Sequence, residues 1–84
     1  MKEKILTITN QTDWTLIKDQ DNIKMMQFQN GGNKINVYWG TMTLSVLYKN
    51  QLPRQFYDVD LDTLRAMFGI KKQNIFQKFI SIFK

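Results

Sequence analysis

Apolar and polar residues alternate along two runs that meet at Gly40-Thr41, in the stretch KINVYWGTMTLSVLY from Lys34 to Tyr48. Closing a hairpin on Gly40 and Thr41 sets Trp39 opposite Met42, Val37 opposite Leu44 and Ile35 opposite Val46, so six apolar side chains share one side of the ribbon. A slip of one residue would turn all six into water, which makes the pattern a specification of register. Gly40, at the first turn position, is expected to supply the positive φ of a type II′ turn. The other side then carries Lys34, Asn36, Tyr38, Thr43, Ser45 and Leu47, a mostly polar surface with one aromatic ring.

The same reasoning extends in both directions. Ile5 to Thr9 alternates and ends at Asn10-Gln11, which predicts a short first strand. Trp14 to Lys18 predicts a second strand, and the polar cluster Asp19 to Asn22 a turn. Ile23 to Gln29 predicts a third strand. A type I′ turn at Gly31-Gly32 sets Phe28 opposite Ile35 and Met26 opposite Val37 on the apolar side, with Met25 beside Tyr38 and Gln27 beside Asn36 on the polar side. Downstream, Pro53 marks a loop, since proline cannot donate to a central ladder, and Gln55 to Val59 predicts an edge strand. Asp60 is placed to cap a helix with Leu61, Leu64 and Phe68 on one face and Gly69 just past its end. Ile70 to Phe83 predicts a second, amphipathic helix with Ile75, Phe76, Phe79, Ile80 and Phe83 on one stripe.

Strands first and helices last indicate one α+β domain over residues 1–84: an antiparallel meander of four or five strands, one face covered by two C-terminal helices. Left uncovered, that face would expose Trp14, Met26, Phe28, Ile35, Val37, Trp39, Leu44 and Val46. At about 1.5 to 3 kcal/mol per large buried side chain, covering it is the largest favourable term available. The Phe and Ile stripe of the last helix is therefore read as core in preference to a membrane anchor.

Composition narrows the function more than it names it. The 84 residues include no cysteine and no histidine, which removes disulfides, thiolate chemistry, the usual proton shuttle and the usual metal ligands. With no apolar span, no signal sequence read at Met1-Lys2-Glu3-Lys4 and no disulfide framework, a cytoplasmic location is expected, with no membrane span. The acidic run Asp58-Asp60-Asp62 resembles a cation-binding cluster in spacing, but a cap at Asp60 and a first-turn carboxylate at Asp62 account for it structurally. Gly31-Gly32 lies between strands and is no phosphate loop. The expectation is a protein that is not an enzyme and uses no cofactor, metal or small-molecule substrate.

Net charge is +5, and it is unevenly placed. All seven acids precede Thr63 and are balanced there by seven Lys and Arg, whereas Arg65, Lys71, Lys72, Lys78 and Lys84 follow with no acid among them. Such a one-signed end favours an acidic partner, the alternative being a solvated lysine-rich helix face. The polar side of the sheet is the second candidate: single-strand-binding sheets combine a ring for stacking with amides and lysines, as Tyr38, Asn36 and Lys34 would here. The alternative is an ordinary wet sheet face. The expected partner-binding residues are thus Lys34, Asn36, Tyr38, Arg65, Lys71, Lys72 and Lys78.

Lys34-Ile35-Asn36-Val37-Tyr38, then Gly40-Thr41, Gln51-Leu52, Arg54, Val59, Leu61, Leu64 and Phe68 form a pattern that resembles one in small uncharacterised proteins of phages and other mobile elements. The resemblance covers about 35 central residues and implies a small accessory protein without catalytic residues. Proteins of that kind bind host nucleic acid or block a host defence complex. Two expectations follow: a nucleic-acid-binding module, or a protein inhibitor of a bacterial defence or nucleic-acid-processing complex, anti-CRISPR-like in role.

Overall fold

The structure is a computed structural model that describes residues 1–69. Five antiparallel strands, β1 (Thr15–Gln20), β2 (Met25–Asn30), β3 (Asn33–Tyr38), β4 (Thr43–Leu47) and β5 (Arg54–Phe56), lie in sequence order in one sheet. Two helices, α1 (Lys2–Thr9) and α2 (Leu61–Phe68), complete an α+β fold. The expected helix over Ile70 to Phe83 falls outside the described residues.

The central register is the one the alternation requires. Ile35 pairs with Val46 and Val37 with Leu44 across β3 and β4, while Phe28 pairs with Ile35 and Met26 with Val37 across β2 and β3. These six side chains are buried and form one cluster with Ile5 and Ile8 of α1, Val59, and Leu64 and Phe68 of α2. Phe68 packs edge-on against Phe28 at 5.2 Å and against Trp14 at 5.3 Å between ring centroids, and Trp14 also stacks on Tyr48.

α2 starts and stops as its sequence dictates. The Asp60 carboxylate accepts from the Thr63 N–H at 2.8 Å, and Gly69 closes the helix in the left-handed conformation at φ 74°. That hydrogen bond holds the Asp60 carboxyl below the usual carboxylate range.

Ile5 to Thr9 is not a strand but the greater part of α1. Five alternating residues also satisfy helical spacing, because Ile5 and Ile8 fall three apart on one face, and both are buried on the sheet. The apolar side of the sheet is thus covered from both chain ends. Lys2 fastens α1 to the end of β1 through Asp19 at 3.0 Å and to the turn that follows through Asp21 at 2.7 Å.

The strands and connections differ from expectation in five places. β1 begins after Trp14 and runs on to Gln20, with a bulge at Ile17 that breaks the pairing between Leu16 and Lys18. The following turn is a short 3₁₀ segment, Asp21–Ile23, closed by Lys24 at φ 53°, so Ile23 stands outside β2. Of the two hairpin glycines only Gly31 has positive φ, whereas a type I′ turn needs it at both positions. Gly40 has no positive φ: the β3–β4 connection is Trp39 to Met42, with the left-handed residue at Met42, so the type II′ turn is replaced while the register survives. β5 is Arg54–Phe56, shorter than Gln55 to Val59; Val59 instead donates its N–H to the Met42 carbonyl at 2.9 Å.

Candidate interaction surface on the open face of the sheet

Both described helices and the buried cluster lie on one side of the sheet, and the other side presents its side chains in three rungs. The middle rung crosses all five strands as Lys18, Gln27, Asn36, Ser45 and Gln55. One flanking rung is Gln20, Met25, Tyr38 and Thr43; the other is Thr15, Gln29, Lys34 and Leu47. Side chains two apart along a strand share a face, so this arrangement follows directly from the pairing.

The middle rung is a row of hydrogen-bonding groups with spare capacity. Gln27 Nε2 donates to Asn36 Oδ1 at 2.7 Å, which leaves the Gln27 carbonyl and the Asn36 amide N–H groups turned to other partners. At the β5 end, the Tyr57 hydroxyl donates to Gln55 Oε1 at 2.7 Å, adding a second ring beside the row; Tyr57 is 68% exposed. Tyr38 sits between Met25, which is buried, and Thr43.

Charge is partitioned between the two sides. None of the paired residues on the open face is a carboxylate; Asp13, beyond Thr15, borders one corner. Asp19 lies on the covered side and is held by Lys2, Asp60 and Asp62 belong to the start of α2, and the open face keeps Lys18 and Lys34 without acidic partners within 4 Å among the described residues.

Of the residues expected to meet a partner, Lys34, Asn36 and Tyr38 lie on consecutive rungs of this face. Arg65 does not join them: it stands on α2 in the opposite layer, where its guanidinium meets Asp62 at 3.3 Å. Lys71, Lys72 and Lys78 lie outside the described residues. Lys24, Gln55 and Tyr57 belong to the surface and went unrecognised in the sequence, since Lys24 reads there as a strand residue. The spacing of Gln55 and Tyr57 on an expected strand was the available signal for those two.

Among the described residues no group of three or more acidic side chains is placed to hold a metal ion, and no helix is long and apolar enough to cross a membrane. Comparison with protein-family models, curated proteins and solved structures gives no match to the chain.

Proposed function

We propose that this chain is a non-enzymatic binding module, an accessory protein of a phage or mobile element, whose open sheet face takes single-stranded nucleic acid. The observation that supports this is the face that no described element covers: a rung of amides and hydroxyls, Tyr38 beside it, and lysines without carboxylates among the paired positions. Each part has a role in such binding. A base stacks on the Tyr38 ring, amides of the Gln27–Asn36 row meet base edges, and Lys18 and Lys34 neutralise phosphates. Unstacked bases of a single strand can lie flat on this surface, whereas a duplex keeps its π-faces inside the stack.

The test is a fluorescence-anisotropy titration against single- and double-stranded DNA and RNA at two salt concentrations. Single strands are expected to bind more tightly. Three lysines on or beside the face, Lys18, Lys24 and Lys34, give a log-log salt slope of about −2, at roughly 0.7 per phosphate, and a steeper one where Lys71, Lys72 and Lys78 contribute. Tyr38→Ala should cost about 1 to 3 kcal/mol of binding. Absence of binding at low salt sinks the proposal.

A second reading, a protein inhibitor of a host defence or nucleic-acid-processing complex, is favoured by one feature. Leu52, 84% exposed, and Tyr57 flank the three-residue edge strand β5, and such anchors suit a protein interface. That reading predicts loss of partner binding on Leu52→Asp and little dependence on salt.

A further inference from the structure

At the end of the open face where the β1–β2 and β3–β4 connections meet, the backbone of Lys24 is held and its exposed side chain lies across Gly40 towards Trp39. Its backbone is left-handed at φ 53°, its N–H donates to the Asp21 carbonyl at 3.1 Å and its carbonyl accepts from Trp39 at 2.9 Å. The stem crosses Gly40, where a Cβ would stand 2.9 Å from Lys24 Cδ. The ammonium lies 5.7 Å from the centroid of the Trp39 ring. Among the described residues no carboxylate lies within 4 Å of it, in contrast to Lys2 between Asp19 and Asp21. An indole face orients a cation without supplying a formal counter-charge. The result is a placed cation with its charge still unspent.

Lys24 lines a groove of about 570 Å³ together with Tyr38, Thr41, Thr43 and Gln55. Thr41 and Thr43 bring their hydroxyls to 3.0 Å. Whichever one donates, the other keeps its own O–H for a third partner. Lys24 adjoins Met25, which pairs with Tyr38, and Lys24 and Tyr38 line the same groove.

We propose that this corner is a phosphate site, in which Lys24 and the free threonine hydroxyl hold the phosphate of the nucleotide whose base lies on Tyr38. The proposal rests on the reading of the open face as a single-strand surface and adds an anchor that fixes where along the strand the ring engages. The groove falls within the range of about 300 to 1,000 Å³ usual for small-ligand sites, so it has room for sugar and base beside the phosphate.

The test compares wild type with Lys24→Gln, which keeps the stem over Gly40 and removes the charge, and Lys24→Arg, which keeps the charge. The probe is a labelled ten-residue thymidine oligonucleotide, with and without a 5′-phosphate. Lys24→Gln should weaken binding roughly five-fold at low salt and flatten the salt slope by about 0.7, while Lys24→Arg stays near wild type. A gain from the 5′-phosphate assigns the site to a strand end, and equal affinity assigns it to an internal phosphodiester; both uphold it. In a Trp14→Phe background, Trp39 fluorescence should respond to thymidine 5′-monophosphate and not to thymidine. If Lys24→Gln matches wild type in affinity and slope while Lys34→Gln weakens binding, the anchor is overturned and the open-face reading stands. If wild type binds no oligonucleotide, both fall.

Discussion

A side chain at position 40 would have to share its space with the stem of Lys24, whereas one at position 31 would meet nothing within 4 Å. The two glycines are therefore needed for different reasons. Gly31→Ala forces a Cβ into the left-handed region and should cost about 1 to 2 kcal/mol. Gly40→Ala should cost less than about 1 kcal/mol, because a surface lysine stem can yield and the backbone there is not left-handed. Urea denaturation of the two variants measures the order, which is the reverse of what a type II′ turn at Gly40 requires. Asp60 provides a second residue-scale test. Its carboxyl titrates below its unfolded value, so the cap contributes fully above the unfolded pKa and is lost as pH falls through the depressed native one. Asp60→Asn, a cap of equal rank without a charge, should keep neutral-pH stability and lack that acid-dependent loss in thermal melts between pH 7 and pH 2. What could be read at this scale was pairing. Phe28 with Ile35 and Val37 with Leu44 follow from alternation, but which residue takes the positive φ depends on contacts from another loop, such as the one between Lys24 and Trp39.

At the scale of elements, α1 is the segment in which local pattern and tertiary demand diverge. Its five alternating residues are too short to separate a period of 2 from one of 3.6, and the exposed apolar side of the sheet decides the matter by taking Ile5 and Ile8. Ile5→Ala should cost about 2 to 5 kcal/mol, and removal of residues 1–9 should abolish cooperative unfolding, as followed by circular dichroism in urea. A first strand at Ile5 to Thr9 would instead make Leu6 and Ile8, or Ile5 and Thr7, equivalent pairs, which their exposures contradict. In the same buried layer, Phe68→Ala removes the ring that joins Trp14 to Phe28 and should cost about 3 to 5 kcal/mol. α2 itself was legible because Asp60, the Leu61-Leu64-Phe68 spacing and Gly69 all specify the same helix. β1 was only half legible: its bulge at Ile17 and its six exposed residues leave no clean alternation to read.

Across the whole molecule, one sheet separates two chemically distinct surfaces. Hydrophobic demand from the buried side draws in a helix from each chain end, and the acids at Asp19, Asp60 and Asp62 go with those helices and their contacts. Among the paired positions the open side is left with amides, hydroxyls, Tyr38 and lysines, with Met25 and Leu47 as its apolar members. Lys34, Asn36 and Tyr38 could be assigned to this surface from the alternation alone, because side-chain facing follows from register. Arg65 could not, since its place in the other layer depends on α2 folding back over the sheet. The central claim is that the open face is the one that meets a nucleic-acid strand, and the most direct measurement is an NMR titration of the isotope-labelled protein with a thymidine oligonucleotide at low salt. The account predicts shifts confined to the open rungs, with the Gln27 and Asn36 side-chain amides and the backbone around Tyr38 and Ser45 moving most and α1 and α2 unchanged. Shifts centred on α2 and Arg65, with the rungs unmoved, would contradict it.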